Sequence, residues 1–190
     1  MSSYQDLSEF RVPPGFRGRS ALVIQLWWLV QATLFACSPQ FAVGWRRFLL
    51  RLFGAEVGQG VRIRPSARIT YPWKVKIGDR TWIGDRAELY SLYPLTIGAN
   101  VCISQDVYLC TGSHDPDARD FRYVCAPITV YDEVWIAAGA FVSPGVTIGY
   151  AAVVGARSLV LSDLEGEKVY AGSPAHLLRR RRGGEHISPN

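Results

Sequence analysis

Aliphatic residues return every six positions through much of this 190-residue chain. The series starts after Gly54, shifts twice by two positions, stops at Leu109 and resumes at Val130. Its members are Val57, Ile63, Ile69, Val75, Ile77, Ile83, Leu89, Leu95, Ile97, Ile103, Leu109, Val130, Ile136, Val142, Ile148, Val154 and Val160. A period of six fits neither a helix face, which repeats every 3.6 residues, nor a strand that alternates every two. The pattern predicts short strands and tight corners, stacked coil upon coil around an aliphatic core.

Two other positions of the six-residue unit are also restricted. The fourth residue after the aliphatic one is small or β-branched, at Ala67, Thr81, Ala87, Val101, Val107, Val134, Ala140, Val146, Ala152 and Ser158. The residue directly after the aliphatic one is often glycine, at Gly58, Gly78, Gly84, Gly98, Gly149 and Gly155. We expect these glycines to lie at corners where the backbone needs a positive φ.

The repeat is lost between residues 111 and 129, and His114 stands near the start of this stretch. The sequence predicts a long loop inserted into the stack. A loop of this length without a pattern of its own is usually functional. We therefore expect the active site here.

Two apolar blocks precede the repeats, Ala21–Cys37 and Phe41–Gly54, and each is expected to form a helix. The second block carries Arg46, Arg47 and Arg51 among tryptophan and leucine. Three interpretations are open: packing on the protein or on an oligomer partner, contact with a membrane surface, or a membrane span, for which the first block is barely long enough. The expected organisation is an N-terminal extension over 1–54, a repeat domain over 55–165 and a C-terminal segment with a basic tail over 166–190.

The composition and charge of the chain indicate a globular protein that does not bind nucleic acid. With 48% hydrophobic and 19% charged residues the chain is globular. The formal net charge is +5, and the run Arg179–Arg182 supplies four of those charges. A nucleic-acid-binding protein would spread its basic residues over a surface, so no nucleic-acid partner is expected.

The four cysteines contain no CxxC pair, which is typical of reduced thiols in the cytoplasm. The N-terminus has no signal-peptide pattern. We therefore predict a cytoplasmic location, with a peripheral position at the inner face of the membrane if the N-terminal helices touch lipid.

The repeat resembles that of the hexapeptide-repeat acyltransferases over roughly Val57–Arg179. Their motif is an aliphatic residue, often glycine, two variable residues, a small residue and one more. The resemblance implies an all-β solenoid, a left-handed parallel β-helix with three six-residue units to each triangular coil. N-terminal helices and the loop around 111–129 complete the expected fold.

Several activities occur on this fold, so the site must decide among them. A carbonic anhydrase of this type would need three histidines on zinc, but His176 and His186 lie beyond the last repeat, so no metal is expected. A nucleotidyltransferase would need a glycine-rich domain ahead of the repeats. Acyl transfer fits the chain best.

The segment "TGSHDPDARDF" resembles the TG-x-H-x-x-D stretch of the maltose and galactoside acetyltransferases. This resemblance implies that His114 is the catalytic base. An imidazole can accept the proton of a sugar hydroxyl as its oxygen attacks a thioester. The departing thiolate is a good leaving group, so no covalent enzyme intermediate is required.

The second half of the chain, from "VWIAAGAFVSPGVTIG" to "VYAGSPAHLLR", resembles the ending of the same enzymes. There, backbone groups at successive corners hold the pantetheine arm of coenzyme A, and cationic side chains near the end hold its phosphates. The resemblance implies acetyl-CoA as co-substrate. The matching positions are Ala138, Gly139, Ala156, Arg157, His176 and Arg179, with Arg180–Arg182 as a further source of phosphate contacts or as a solvated tail.

The acceptor side departs from the galactoside enzymes, because Gly84 stands where they place a sugar-binding asparagine. We predict acceptor contacts from Asp85, Tyr90, Asp106 and Asp115. A simple β-galactoside or maltose is therefore not the expected acceptor. Asp115 and the charged residues after it are expected to cover the acceptor pocket or to reach the next subunit.

With its N-terminal block included, the chain is similar to the colanic-acid-type acetyltransferases of bacterial exopolysaccharide clusters. The quoted segments are "QLWWLVQATLF", "GWRRFLLRLFGAEVG" and "CISQDVYLCTGSHD". The resemblance implies O-acetylation of a sugar in a surface or capsular polysaccharide, with an acceptor that is lipid-linked at the membrane. It also implies a homotrimer with each site between two β-helices. The alternatives are a non-catalytic scaffold or membrane-docking protein, and an acetyltransferase for a non-sugar acceptor.

Overall fold

The computed structural model describes residues 4–183, and most of them form a parallel β-helix. The strands are β1 (Glu56–Val57), β2 (Arg62–Ile63), β3 (Arg68–Ile69), β4 (Val75–Ile77), β5 (Trp82–Ile83), β6 (Glu88–Tyr90), β7 (Leu95–Ile97), β8 (Cys102–Ile103), β9 (Tyr108–Cys110), β10 (Gly112–His114), β11 (Tyr123–Cys125), β12 (Ile128–Val130), β13 (Trp135–Ile136), β14 (Phe141–Val142), β15 (Thr147–Ile148), β16 (Val153–Val154), β17 (Leu159–Val160), β18 (Lys168–Ala171) and β19 (His176–Arg180). The helices are α1 (Ala21–Val30) and α2 (Val43–Leu52), with short helical turns at Leu7–Glu9, Gln31–Phe35 and Pro72–Lys74.

Three sheets, parallel except for the last strand of sheet B, form the sides of the solenoid. Sheet A has the order β1-β4-β7-β12-β15, sheet B has β2-β5-β8-β13-β16-β18-β19, and sheet C has β3-β6-β9-β14-β17. From β1 to β17, apart from the β10–β11 pair, the chain visits A, B and C in turn, so consecutive strands of the stack lie in different sheets. The solenoid predicted from the six-residue repeat is confirmed.

The core is a set of aliphatic columns that run along the axis. In sheet B, Ile63 pairs in register with Ile83, which pairs with Ile103, followed by Ile136 and Val154. Each of these side chains is at most 1% exposed. Full burial of one aliphatic side chain stabilises a fold by about 1.5–3 kcal/mol, so the columns supply much of the driving force for folding. The small residues of the repeat, from Ala67 to Ser158, are buried as well.

The glycines of the repeat have a different role from the predicted one. None of them has a positive φ. A Cβ on Gly84 would lie 2.6 Å from the Gln105 backbone nitrogen, because the next coil passes directly over this position. The positive φ falls two residues later in the unit and is mostly taken by other residue types, at Gly60, Arg80, Arg86, Asn100, Asp106, Glu133, Gly139, Gly145, Ala151 and Arg157. Glycine is thus needed here for close approach between coils.

The shifts in the repeat all have one structural origin. Val57 pairs with Ile77 and Ile77 with Ile97, a spacing of 20 residues, whereas Val130 pairs with Ile148, a spacing of 18. The two additional residues lie where the chain passes from sheet C to sheet A, which we name the C–A corner. The insertion at 111–129 leaves the solenoid at this same corner, one coil later.

The N-terminal helices close the open end of the first coil. Trp27 donates its indole N–H to the Ile69 carbonyl at 2.8 Å, and the Gln31 side chain accepts from the Ile69 N–H at 2.7 Å. The Arg46 guanidinium is fully buried and donates to the carbonyls of Ile63, Pro39 and Gln40 and to the Ser38 hydroxyl. Unpaired strand edges are thereby satisfied.

This packing answers the question of how the N-terminal blocks are placed. The inner side of both helices packs on the protein, in agreement with the first of the three interpretations. None of the helices within residues 4–183 has the length and apolar content to span a membrane. The second helix ends at Leu52, and Gly54 follows it with a φ of 90°.

The C-terminal segment covers the other end of sheet B. Strand β19 turns back antiparallel to β18. The Arg181 guanidinium then donates to the carbonyls of Glu133 and Ala151, both at 2.9 Å, where sheet A meets sheet B. Arg181 therefore anchors this segment and is not part of a solvated tail. His186 lies outside the described residues.

Candidate active site

The insertion forms a β-hairpin of its own. Strands β10 and β11 pair antiparallel, with Gly112 opposite Cys125 and His114 opposite Tyr123. The expectation of a loop without internal pattern was therefore wrong. Sequence inspection missed the hairpin because its strands, three residues each, are too short to show an alternation. The pairing gives His114 a fixed backbone position.

The His114 ring is held in one orientation by its neighbours. Its Nδ1 lies 2.6 Å from the Phe121 carbonyl oxygen, and its ring stacks on the Phe121 ring at 4.1 Å. A carbonyl can only accept, so Nδ1 carries the proton. In a neutral imidazole Nε2 is then the nitrogen with a free lone pair. The arrangement presents a proton acceptor at a defined point of a half-buried surface.

An N-terminal strap, residues 4–18, packs over the hairpin. The Phe10 ring lies 5.6 Å from the His114 ring and 5.2 Å from the Tyr123 ring, and Phe16 stacks on Tyr123 at 4.7 Å. Lys74 donates to the Phe16 carbonyl at 2.6 Å. The strap thus adds the Phe10 ring to the Phe121 and Tyr123 rings around the imidazole, from a part of the chain more than 100 residues away. No periodicity in the sequence marks them, and they were not predicted.

The tip of the hairpin is bound to the same strap. Arg119 lies 3.2 Å from Glu9 and 3.7 Å from Asp6, and its carbonyl accepts from the Asp6 N–H at 2.8 Å. Asp115 pairs with Arg122 at 3.2 Å and accepts from the Asp117 N–H, which lowers the pKa of the Asp115 carboxyl. The charged residues of the insertion thus fix the hairpin within the chain.

The predicted cofactor positions form a column at the corner where sheet B passes into sheet C, named here the B–C corner. The Arg157 N–H donates to the Ala138 carbonyl at 2.8 Å, which stacks one pair of predicted residues on the other. Gly139 and Arg157 take positive φ values of 69° and 56°. Gly139, Ala156 and Arg157 are exposed, so an extended ligand could reach the backbone of both coils.

His176 continues this column and Arg179 lies apart from it. Residues 170–172 stack on the coil of Ala156, since the Gly155 N–H donates to the Tyr170 carbonyl at 2.7 Å. The His176 ring packs against Gly172 in that next layer. Arg179 is exposed further along β19, opposite Val169.

Two of the predicted acceptor residues are engaged in ion pairs at the B–C corner. Asp85 contacts Arg64 at 2.7 Å and accepts from Ser66 at 2.8 Å, and Asp106 receives two hydrogen bonds from Arg86 at 2.7 Å each. The hydrogen bond from Arg64 lowers the pKa of Asp85, and the one from Arg86 lowers the pKa of Asp106. Both carboxylates are ionised at neutral pH and hold neighbouring coils together.

Tyr90 is the last residue of β6, on the side of sheet C that faces the C–A corner, and its ring lies 5.8 Å from the Tyr108 ring. Burial raises the pKa of Tyr90, so its hydroxyl stays protonated at neutral pH and can donate a hydrogen bond. The Tyr108 ring stacks on Phe141 at 5.4 Å. Sheet C therefore presents an aromatic outer face between the two corners.

Comparison with known proteins identifies the family. No family model matches the chain. It is 55% identical over 177 residues to a protein of Escherichia coli K12 named "Putative colanic acid biosynthesis acetyltransferase WcaF", covering 93% of this chain and 97% of that one. The chain belongs to the hexapeptide-repeat acetyltransferases.

Two other members support this assignment. The galactoside O-acetyltransferase of Escherichia coli K12 is 32% identical over 138 residues, which cover 70% of this chain and 68% of that protein. A hexapeptide-repeat acetyltransferase of Vibrio cholerae, solved with acetyl coenzyme A, superposes with a TM-score of 0.78 at 28% identity, over 87% of this chain and 92% of that one.

One acetyltransferase chain does not bring all the predicted site residues together. His114, Asp115 and Tyr90 lie at or near the C–A corner. The predicted cofactor positions other than Arg179, together with Asp85 and Asp106, lie at the B–C corner or in the layer that continues it. The width of sheet C separates the two groups, so a complete site requires either a second chain or a ligand that crosses the sheet.

A groove of about 920 Å³ opens beside the B–C corner of the acetyltransferase. Its lining includes Arg64, Trp82, Asp85, Ser104 and Gln105. The indole of Trp82 is 52% exposed, which gives the groove a flat apolar wall beside charged groups. Within residues 4–183 no cluster of three or more histidine, cysteine, aspartate or glutamate side chains could hold a metal ion.

Proposed function

We propose that this acetyltransferase transfers the acetyl group of acetyl-CoA to a hydroxyl of a saccharide, with His114 as general base. The observation that carries the proposal is the hydrogen bond from His114 Nδ1 to the Phe121 carbonyl, which leaves Nε2 as the proton acceptor. The hydroxyl oxygen bonds to the acetyl carbon while its proton passes to Nε2, and the carbon–sulfur bond breaks. The imidazolium then returns the proton to the departing thiolate.

Acetyl-CoA fits the B–C corner for a structural reason. Small residues at Ala138, Gly139 and Ala156 leave backbone groups of successive coils within reach of an extended chain such as pantetheine. Arg157 and His176 add cationic or hydrogen-bonding groups toward the end of that column for phosphates, and Arg179, which lies apart on β19, remains a proposed phosphate contact from outside it. The solved Vibrio cholerae acetyltransferase, named as a complex with acetyl coenzyme A, supports the same co-substrate.

The saccharide class rests on the relatives. The Escherichia coli protein at 55% identity is named for colanic acid biosynthesis, and another relative is named a galactoside O-acetyltransferase. We therefore assign the acceptor to an exopolysaccharide or capsular saccharide, lipid-linked at the inner face of the membrane. The exposed Trp82 face of the groove suits an apolar face of a sugar ring, and Asp85, Tyr90, Asp106 and Asp115 remain the proposed polar contacts.

The separation of the two corners supports a homotrimer. Three parallel solenoids placed side by side would set the His114 hairpin of one chain against the B–C corner of the next. Each site would then take its base from one chain and its acetyl-CoA column from another. The cytoplasm, where acetyl-CoA and reduced thiols are found, is the proposed location.

The test compares His114→Ala with Ser113→Ala, an exposed neighbour in the same strand. Calorimetric titration with acetyl-CoA is expected to give the same affinity for both variants and the native chain. Turnover with saccharide acceptors is expected to fall by about 10²–10⁴-fold in His114→Ala alone. Retained turnover in His114→Ala would refute the base, and a native chain that binds no acetyl-CoA would favour the scaffold alternative.

A mixing experiment tests the shared site. His114→Ala removes the base at one corner, and Ala156→Leu obstructs the acetyl-CoA column at the other. If neighbouring chains share a site, co-refolded mixtures recover turnover at low acetyl-CoA that neither variant has alone. Mixtures that stay at the average of the two variants would place the whole site within one chain.

A further inference from the structure

The outer side of the N-terminal helices is strongly apolar. Leu22, Leu26 and Leu29 form one stripe along α1, at the spacing of a helix face, and they are 78%, 49% and 61% exposed. Trp45, Phe48 and Leu52 form a second stripe along α2. We name the combined surface the base patch; its members are Leu22, Leu26, Leu29, Leu34, Trp45, Phe48 and Leu52.

The two stripes join into one surface. Trp45 donates its indole N–H to the Leu34 carbonyl at 3.0 Å, which ties α2 to the helical turn Gln31–Phe35. The Trp45 and Phe48 rings stack at 5.7 Å. Leu34, Trp45 and Phe48 are therefore neighbours and are held in place by contacts within the N-terminal helical segment.

Closing the solenoid does not require this apolar surface. The groups that close the first coil, such as Trp27 and Arg46, lie on the inner side of the same helices. Polar residues on the outer side would leave those bonds intact. A continuous apolar patch that the fold does not use marks a surface for interaction.

The charge of the segment indicates what the surface meets. Residues 10–55 contain six arginines and not one aspartate or glutamate. The arginines are Arg11, Arg17, Arg19, Arg46, Arg47 and Arg51. Arg46 is buried, and Arg11, Arg17, Arg19 and Arg51 are exposed. An apolar surface within a segment that carries cations and no acid matches the acyl boundary and the phosphates of an anionic bilayer.

We propose that the base patch seats the protein on an anionic membrane surface. The leucine, tryptophan and phenylalanine side chains enter the interfacial layer, and the exposed arginines contact lipid phosphates. The patch lies at the first coil, so three chains with parallel axes, as in the trimer proposed above, would turn three such patches to the same side. Docking would bring the site to an acceptor carried on lipid. The common orientation of three patches and this last step rest on the proposed function.

The full-length protein is tested by co-sedimentation with two kinds of vesicles. One is phosphatidylcholine alone, and the other has about a third of its lipid replaced by phosphatidylglycerol. The native chain is expected to bind the anionic vesicles at least about tenfold more strongly, and less strongly as salt is raised. Failure to bind the anionic vesicles would overturn the proposal.

Two double variants test whether vesicle binding depends on the base patch or on exposed apolar residues in general. Leu29→Gln with Phe48→Gln removes two exposed patch residues without changing the charge, and partitioning is expected to fall by at least about tenfold. Leu161→Gln with Leu177→Gln replaces residues of similar exposure, 57% and 51%, at the other end of the solenoid. This control is expected to bind vesicles within about twofold of the native chain.

Two further measurements test whether the variants still bind acetyl-CoA and whether the patch instead binds another copy of the chain. Both double variants are expected to bind acetyl-CoA as the native chain does, which separates loss of docking from failure of the proposed function. Light scattering is expected to give all three proteins the same mass. A lower mass for the patch variant would instead make the patch an interface between copies, and undiminished vesicle binding by that variant would refute the proposal.

Discussion

The B–C corner and the C–A corner of this solenoid follow different rules. At the B–C corner the same geometry returns in successive coils, with a positive φ at Arg86, Asp106, Gly139 and Arg157. At the C–A corner the first two coils carry a two-residue extension and the third carries the β10–β11 hairpin. One corner supplies a repeated backbone surface, and the other supplies individual side chains.

On the proposed function, this difference allows one repeat to support both binding and chemistry. An extended co-substrate needs equivalent groups at regular spacing, which stacked coils provide without further elements. A base needs one residue at one place, and that requires a departure from the repeat. The hairpin leaves the stack at a corner, so β9 and β12 on either side keep their register in sheets C and A.

The sharpest way to break the regular corner is Gly84→Ala. The added Cβ would lie 2.6 Å from backbone atoms of Ser104 and Gln105, and no flexible side chain can move aside. We expect the free energy of unfolding to drop by about 3 kcal/mol or more, measured by denaturant titration. Gly60→Asn is the control. Gly60 has a φ of 68°, the position equivalent to Asn100, and we expect a change below about 0.5 kcal/mol. Equal losses would refute the close-approach explanation.

The irregular corner depends on the strap, so Phe10→Ala should impair catalysis without unfolding the stack. The Phe10 ring packs on His114 and Tyr123, and its loss lets the imidazole leave its position. We expect kcat to fall about tenfold, with the KM for acetyl-CoA unchanged. Phe10→Tyr should keep the native kcat. Tyr4→Ala, at a residue 91% exposed in the same strap, should leave kcat unchanged. A rise in KM without a fall in kcat would contradict a positioning role.

Ala156→Leu tests the column at the B–C corner. Leucine would cover backbone that the proposed pantetheine arm approaches, and Ala156 is exposed, so the fold should tolerate it. We expect the KM for acetyl-CoA to rise about tenfold, with kcat within about twofold. Gln59→Leu places the same side chain at the equivalent position of the A–B corner and should leave KM unchanged. A matching rise there would mean that the effect is not specific to this column.

The smallest effect concerns Glu88 on the outer face of sheet C between the two corners. Burial raises its pKa, more than the nearby Arg68 lowers it. The folded state therefore binds this proton more tightly than the unfolded state, and stability falls as pH rises through the raised pKa. Glu88→Gln should be slightly more stable than the native chain at pH 7, and the difference should vanish below the unfolded pKa of about 4.3. Thermal unfolding at several pH values measures it, and a difference that persists in acid would contradict the burial argument.

The solenoid could be predicted because its core follows a strict local rule. Each aliphatic residue of the series lies in a column, as Ile63, Ile83 and Ile103 do, and the rule needs no knowledge of distant contacts. The corner glycines were interpreted wrongly for the opposite reason. Only the stacked structure shows that Gln105 passes over Gly84, whereas residues as different as Arg86 and Glu133 take the positive φ.

The site was less predictable because its parts come from distant segments. His114 was predicted as the base through a resemblance in its motif. The strap that holds it could not be found, because Phe10 and Phe16 reach the hairpin across more than 100 residues and belong to no repeat. Likewise, the arginines of α2 gave no sign that Arg46 would turn inward and bind carbonyls of the first coil.

The buried guanidinium of Arg46 also limits the number of coils that can stack, because it occupies a carbonyl at the open end of the first coil. A stack of parallel strands can add one more layer wherever an edge is free, as growing fibrils do. With the first coil covered by α1 and α2 and sheet B ended by an antiparallel strand, neither of these ends is a template for another molecule. The protein thus uses the architecture of a fibre while remaining a particle of fixed length.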